Sequence, residues 1–327
     1  AMTMHKHSSS FILPAENAGK KRLGPFSDEE LRRDRPPPGI QKRVASAGQG
    51  HITKHWGKLN VKQRRELCDQ VATLNFREVQ RFLWKAKQDA TKTRTATTPK
   101  PVSLERICTL DQHSEVLKER CYQTGFKLVA EGKLAVVLMA GGQGTRLGTH
   151  LPKGCVDIGL QSKKTLFQIQ AEKILKLQKL AAERIYGSGA TVRHPLTWYV
   201  MLSDATREYT QAYFERKDYF GLDPGQIRYF TQGFLPCLAE NGDVLLQAEH
   251  LVCTSPDGNG GIFKSLEASG CLADMTARGV IAVDCYSVDN LLAKVADPFF
   301  VGFCHNFGAE LGCRTLAKRS PEERVGV

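Results

Sequence analysis

Helix-type spacing of apolar residues characterises the chain between residues 43 and 131. After Asn60, the apolar residues Leu67, Val71 and Leu74 recur at intervals of four and three, which places them on one face of a helix. Asn60 is itself a residue type that commonly caps the first turn of a helix through its side-chain oxygen. The pattern therefore predicts an amphipathic helix that begins just after Asn60.

Two further helices and a linker complete this region. Asn75 followed by Glu78 matches a capping box, in which each residue's side chain accepts a hydrogen bond from the other's backbone N–H. Residues 88–103 are polar, rich in threonine and interrupted by prolines, so they predict a linker. A last helix is expected over residues 114–131, because Gly132 is a residue type that often terminates helices.

The pattern changes after residue 132. Short apolar runs now alternate with longer segments of helical period, and a run that is apolar on both faces is typical of a parallel strand covered by helices. This alternation predicts an α/β fold, with a doubly wound, mostly parallel, Rossmann-like sheet whose ligands bind beyond the carboxyl ends of the strands. The predicted strands are 134–139, 198–202, 227–230 and 280–283, and the main helical segments are 165–187 and 262–278.

Length and composition are consistent with this division. The chain is 24% charged and 41% hydrophobic, which is ordinary for a globular protein. Its 327 residues are too many for one minimal core. We expect a flexible basic extension over 1–42, a helical segment with its linker over 43–131, and the α/β domain over 132–327. The sequence has no apolar run of about 18 residues, so neither a transmembrane helix nor a membrane partner is predicted.

Charge and cysteine content narrow the function classes. The net charge of +12 raises the question of nucleic-acid binding, but the basic residues form short, separate runs such as KQRR at 62–65, without interleaved aromatic residues. We therefore interpret them as a solvated basic surface and predict no nucleic-acid partner. The ten cysteines form neither a C-x-x-C pair nor a zinc-ligand pattern. They indicate reduced thiols and a cytoplasmic location.

A glycine-rich loop follows the first predicted strand. Gly141, Gly142 and Gly144 lack Cβ atoms, so backbone N–H groups can approach a base or a phosphate closely. Arg146 and Lys153 add two cations suited to phosphate oxygens. The loop lacks the Gly-Lys-Ser/Thr of a P-loop and the G-x-G-x-x-G spacing of a dinucleotide fingerprint. The pattern favours a nucleoside triphosphate over a glycine-rich turn without a ligand.

These residues resemble a known family. The sequence GGQGTRLG at 141–148, with PKG at 152–154, is similar to the signature loop of the eukaryotic UDP-N-acetylhexosamine (UDP-GlcNAc) pyrophosphorylases. Further matching segments follow in the family's order: KTLFQIQAE at 164–172, QG at 232–233 with LP at 235–236, PDGNGG at 256–261 and VDN at 288–290. The resemblance covers about residues 43–327. Family members continue beyond Val327, so it also implies a domain that is incomplete at its C-terminus.

The resemblance implies a uridylyltransferase. An oxygen of N-acetylglucosamine 1-phosphate attacks the α-phosphorus of UTP, pyrophosphate leaves, and UDP-N-acetylglucosamine forms. Such a reaction needs no side-chain nucleophile, because positioning and charge neutralisation suffice. The implied cofactor is Mg²⁺, for which Mn²⁺ can substitute. The sequence does not decide between glucosamine and galactosamine substrates or indicate an oligomeric state.

The resemblance also implies roles for individual residues. Arg146 would hold the β- and γ-phosphates and Lys153 the α-phosphate, and these two residues are the implied catalytic groups. Asp289 would bind the metal ion, and Gln232 would pair with uracil through its amide. The implied nucleotide-binding residues are Met139, Ala140, Gly141, Gly142, Lys153, Gln232, Gly258 and Asp289, and Asn259 is implied in sugar binding.

Several of these residues have structural alternatives. Asp289 could instead cap a helix that begins just after it, Gln232 could be a polar turn residue, and PDGNGG at 256–261 could be only a turn. Asp257 and Cys155 carry no separate functional signal. The alternative function is a catalytically inactive or regulatory fragment of this family that binds uridine nucleotides.

Overall fold

The computed structural model of the chain describes residues 25–91, 102–107, 114–316, 318–320 and 322–323, with the backbone alone at positions 90, 91 and 146. The described residues form two compact units. The first unit comprises residues 25–91 and 234–255, and the second comprises the described residues within 102–233 and 256–323. This division differs from the three consecutive parts expected from the sequence, because residues 234–255 group with the N-terminal residues.

The regular elements follow one another along both units. The helices are α1 Asp28–Arg32, α2 Pro38–Ser46, α3 Val61–Thr73, α4 Phe76–Thr91, α5 Glu115–Ala130, α6 Leu166–Tyr186, α7 Asp204–Arg216, α8 Ile262–Ala268, α9 Cys271–Ala277 and α10 Pro298–Asn306. The strands are β1 Leu134–Met139, β2 Thr197–Leu202, β3 Ile227–Thr231, β4 Phe234–Pro236, β5 Leu246–Ala248, β6 Leu251–Val252, β7 Thr254–Pro256 and β8 Ala282–Ser287. Short 3₁₀ turns connect several of these elements.

The helix starts follow the capping pattern. Asn60 and Gln63 exchange backbone-to-side-chain hydrogen bonds of 2.9 and 3.0 Å, and α3 begins at the next residue after Asn60, as predicted. The N–H of Glu78 likewise donates to the side chain of Asn75 at 3.3 Å as α4 begins. Thr165 caps the start of α6, and Gly187 caps its end after Tyr186. These positions were predictable because a cap satisfies amides that the first helical turn leaves without partners.

Element boundaries differ from the predicted ones in three places. Helix α4 extends to Thr91, into the linker expected over 88–103, of which residues 92–101 lie outside the described residues. The helix expected over 262–278 is two helices, α8 and α9, separated at Gly270, whose φ of 75° breaks helical geometry. The last strand runs from Ala282 to Ser287 instead of over 280–283.

The first unit has its own apolar core. Leu31 in α1 and Ile40 in α2 have no exposed surface, and they belong to one cluster with Trp56 and Leu67. This differs from the flexible extension expected over residues 1–42. Each of these short helices contributes only one or two buried side chains, which is too few to produce a detectable period. Residues 1–24 of that extension lie outside the described residues.

The second unit contains a four-stranded parallel sheet in the order β3-β2-β1-β8. Strand β1 is buried on both faces. Val136 and Leu138 pack with α6 residues, whereas Ala135 and Val137 pack with residues of α8 and α9. The predicted doubly wound α/β fold is therefore confirmed. Within the described part of the chain, no helix combines the length and apolarity needed to cross a membrane.

Candidate nucleotide-binding site

The glycine-rich loop folds back on itself beyond the carboxyl end of β1. The N–H of Gly144 donates to the carbonyl of Leu151 at 2.8 Å, and the N–H of Lys153 donates to the carbonyl of Gly142 at 3.1 Å. The Lys153 side chain then lies along Gly142, where an added Cβ atom would be 3.5 Å from Lys153 Cε. The loop thus brings a cation from its second half onto a glycine of its first half.

Gly141 lies against a residue from another strand end. Strand β3 ends at Thr231, and the N–H of the following Gln232 donates to the carbonyl of Leu202 at 2.7 Å. A Cβ atom at Gly141 would lie 2.5 Å from Gln232 Oε1. Any larger residue at position 141 would therefore displace the Gln232 amide. The parallel sheet places these two segments side by side because both follow carboxyl ends of strands.

Lys153 in turn contacts Asp289, which follows the end of β8. Lys153 Nζ lies 3.3 Å from Asp289 Oδ2, and the hydroxyl of Ser287 donates to Asp289 Oδ1. These contacts lower the pKa of Asp289: the Ser287 hydrogen bond contributes most, Lys153 adds to it, and partial burial opposes both. The Asp289 side chain is 54% exposed, so its carboxylate remains accessible.

The helix-cap alternative for Asp289 is wrong. Residues 290–297 form turns, and the next helix, α10, begins at Pro298 with Asp297 as its cap. The turn after Asp289 is instead held by a side chain from α6. Lys173 Nζ donates to the carbonyls of Leu291 at 2.6 Å and Ala293 at 2.9 Å, and burial lowers its pKa.

The loop before α8 lies against Gly233, next to Gln232. The N–H of Asp257 donates to the carbonyl of Gly233 at 3.1 Å. Added Cβ atoms at Gly233 and Gly261 would lie 2.3 and 2.0 Å from atoms of the Asp257 carboxylate group, so the two glycines form its cradle. Asp257 Oδ1 is buried without a hydrogen-bond partner in the structure. Gly258 has a φ of 74°, a conformation that favours glycine.

The remaining predicted residues lie on the same segments. Met139 ends β1, and buried Ala140 donates its N–H to the carbonyl of Met201 at 2.9 Å. The backbone of Arg146 forms a 3₁₀ turn in the glycine-rich loop. Asn259 is exposed and opens the turn that leads into α8. All of these residues belong to the second unit.

Comparison with known proteins shows the family of the chain. Residues 74–327 match the family described as UTP–glucose-1-phosphate uridylyltransferase. The chain belongs to this family. It is 38% identical over 292 residues to UDP-N-acetylglucosamine diphosphorylase 2 of Arabidopsis thaliana, covering 89% of this chain and 58% of that protein. It is 39% identical over 294 residues to a probable UDP-N-acetylglucosamine pyrophosphorylase of Dictyostelium discoideum, covering 88% and 59%.

A solved structure shares the fold of this chain. The crystal structure of the uridine diphosphate N-acetylglucosamine pyrophosphorylase from Trypanosoma brucei, in complex with an inhibitor, matches with a TM-score of 0.75 and 31% sequence identity. The match covers 93% of this chain and 60% of that one. The chain therefore spans about three-fifths of the length of the relatives that it matches.

Sequence reasoning missed two residues that the structure places at this candidate site. The Asp257 carboxylate is placed by glycines that are distant in sequence, and only the glycines at 233 and 261 hinted at a close approach. Lys173 lies within the apolar pattern of α6, where nothing distinguishes a lysine that binds carbonyls from one that is solvated. The assigned roles of the other site residues stay predictions, although the structure brings their segments together.

Proposed function

We propose that this chain carries the nucleotide-binding site of a uridylyltransferase that forms UDP-N-acetylglucosamine and pyrophosphate from UTP and N-acetylglucosamine 1-phosphate. The observation that carries the proposal is the run of contacts at the carboxyl edge of the sheet. Gln232 lies on Gly141, Lys153 lies on Gly142, and Lys153 pairs with Asp289. The relatives named as UDP-N-acetylglucosamine pyrophosphorylases support the choice of sugar.

The base end of this site favours uracil. The Gln232 amide offers one donor and one acceptor, which match the alternating donor and acceptor edge of uracil. Gly141 beneath it leaves room for a flat ring, because a side chain there would meet the amide oxygen. A purine has a different edge pattern and a larger ring system. The same site would therefore discriminate against ATP and GTP, because the Gln232 amide would not find matching hydrogen-bond partners on a purine.

The phosphate end of the site has the charges that the reaction needs. Lys153 and Asp289 neutralise each other in the absence of a ligand, since their side-chain atoms are 3.3 Å apart. A bound triphosphate would attract Lys153 to the α-phosphate, where negative charge develops as pyrophosphate leaves. Arg146, on the same loop, would hold the outer phosphates. Asn259 would contact the sugar.

Asp289 also fits a Mg²⁺ ion held mainly by phosphate oxygens. Its carboxylate is a hard oxygen ligand and is accessible, and no group of three or more His, Cys, Asp or Glu residues within the described ranges could hold a metal unaided. When bound, such an ion would neutralise phosphate charge. Mn²⁺ would serve as a substitute. We place the reaction in the cytoplasm, in keeping with the reduced cysteines expected from the sequence.

Nucleotide selectivity tests the proposal. UTP with Mg²⁺ should raise the melting temperature more than ATP or GTP does, and Gln232→Ala should remove that preference. Gln161→Ala, which changes an exposed glutamine in a turn, serves as the matched control. Equal shifts for UTP and ATP would contradict the uridine assignment. UTP preference without formation of UDP-N-acetylglucosamine from the two substrates would instead support the non-catalytic, uridine-binding alternative.

A further inference from the structure

Cys237 and Cys253 lie near the two ends of residues 234–255, the segment that groups with the N-terminal residues in the first unit. Cys237 directly follows β4 and Cys253 directly precedes β7, and these two strands pair with each other. Fifteen residues separate the two cysteines in the sequence. The strand pairing places them opposite one another, although they are distant along the chain.

A backbone hydrogen bond joins the two cysteines directly. The N–H of Cys237 donates to the carbonyl of Cys253 at 2.8 Å. Leu245 closes the arrangement, since its N–H donates to the carbonyl of Cys237 at 2.9 Å and its carbonyl accepts from the N–H of Cys253 at 2.8 Å. This direct backbone hydrogen bond between neighbouring strands brings the two cysteines into the proximity that a disulfide requires.

The side chains also meet. The two side chains interact, and this interaction raises the pKa of Cys237. Both residues are half-buried, so a small reagent can reach them. Cys68, Cys121, Cys155 and Cys271 are instead buried in the structure. The geometry thus sets Cys237 and Cys253 apart from these four.

We propose that Cys237 and Cys253 form a redox-active dithiol that closes to a disulfide in the presence of a low-molecular-weight disulfide such as oxidised glutathione. The thiolate of Cys253 attacks one glutathione sulfur, the glutathione S–S bond breaks, and the first glutathione leaves and takes up a proton. Cys237 then loses its proton and attacks the Cys253 sulfur, which releases the second glutathione. Two protein thiols are oxidised, and one small disulfide is reduced to two thiols.

The order of attack follows from the raised pKa of Cys237. The contact with Cys253 raises the pKa of Cys237, so the Cys237 thiol ionises less readily and is assigned the second attack. Closure would tie together the two strands that lead into and out of residues 238–252. In sequence, Cys237 follows Gln232 by five residues and Cys253 precedes Gly258 by five. The inference does not depend on the proposed transferase activity.

Peptide mapping tests the proposal. The full chain is incubated with oxidised glutathione, free thiols are blocked with iodoacetamide, and the protein is digested with trypsin. Both cysteines fall in one tryptic peptide, residues 229–264, because no Lys or Arg lies between Arg228 and Lys264. We expect this peptide to escape alkylation. Further cleavage after Glu240 and Glu249 should leave the two cysteine-containing fragments joined until a reductant is added.

Single variants provide the controls. Cys237→Ser and Cys253→Ser should each abolish the cross-link and leave the remaining cysteine either alkylated or as a mixed disulfide with glutathione. Cys285→Ser, at an exposed cysteine, should leave the cross-link unchanged.

A second readout measures local opening. Closure should slow cleavage after Glu240 by a glutamate-specific protease roughly tenfold or more, because it restricts the opened loop. The proposal would be overturned if both wild-type cysteines were alkylated at every ratio of oxidised to reduced glutathione. It would also be overturned if each cysteine carried glutathione without a cross-link.

Discussion

The two compact units satisfy their buried backbone groups in different ways. In the second unit, β1 and β2 each pair on both sides with parallel strands, so the sheet itself supplies donors and acceptors. In the first unit, short helices and turns leave many carbonyls without such partners, and long side chains reach them. Arg64 is the clearest case, since its guanidinium donates to the carbonyls of Leu31, Arg33 and Trp56 at 2.8–3.1 Å.

The same device recurs elsewhere in the first unit. Arg43 donates to the carbonyls of Val71 and Leu74, and the Gln49 amide donates to the carbonyl of Gly242 while accepting from the N–H of Val244. Polar side chains here hold the chain together. In the second unit, the ladder leaves the polar residues that follow the strand ends available for a ligand. The difference indicates which polar residues to expect as structural and which as functional.

Arg64→Met should have the largest effect on stability. The side chain is only 7% exposed, and methionine would leave three carbonyls without their charged donor. We expect a loss of about 3–5 kcal/mol in the free energy of unfolding. Urea denaturation would measure it, with the exposed neighbour Lys62→Met as control. A loss similar to that of Lys62→Met would show that the first unit does not rely on this side chain.

Arg64 also shows where sequence reasoning fails. The sequence pattern predicts a solvated basic surface for the run KQRR at 62–65. For Arg64 this prediction is wrong, because its guanidinium is buried among carbonyls and lies 5.1 Å from the centre of the Trp56 ring. Apolar periodicity and capping residues predicted the sheet and α3 because they act locally. The partners of Arg64 come from segments up to 33 residues away and leave no periodic signal.

In the candidate site, too, some features could be predicted from the sequence and others could not. The glycine-rich loop, Gln232 and Asp289 could be predicted because each follows a strand end, and strand ends of a parallel sheet meet at one edge. The contact between Lys153 and Asp289 joins residues 136 positions apart, and only the folded sheet reveals it. The Asp257 cradle escaped prediction for the same reason.

Lys173→Met tests an exception within the second unit, where a side chain supports backbone carbonyls as in the first. Methionine would keep the apolar stem but remove the donors to Leu291 and Ala293. We expect a loss of about 1–2 kcal/mol in the free energy of unfolding. Half-maximal UTP binding should also require a severalfold higher Mg²⁺ concentration, because the turn after Asp289 loosens. Lys176→Met, at an exposed position of the same helix, is the control. An unchanged Mg²⁺ requirement would restrict Lys173 to a purely structural role.

The smallest effect concerns the pH dependence contributed by Asp289. Hydrogen bonding from Ser287, with Lys153 nearby, holds the pKa of Asp289 below its ordinary value of 3.8 in the folded chain. A carboxyl whose pKa is lowered by folding binds fewer protons in the folded state, so its contribution to stability is present above pH 3.8 and is lost as the pH falls through the folded value.

Asp289→Asn should therefore differ from the wild type by a constant amount above about pH 5, and this difference should change only as the pH falls below 4. Urea denaturation at a series of pH values would measure the stability difference. Lys153→Met should weaken the same pH dependence without abolishing it, because the Ser287 hydrogen bond remains. A difference between wild type and Asp289→Asn that varies most near neutral pH would mean that another group dominates, and that Asp289 is not held as a carboxylate by these contacts.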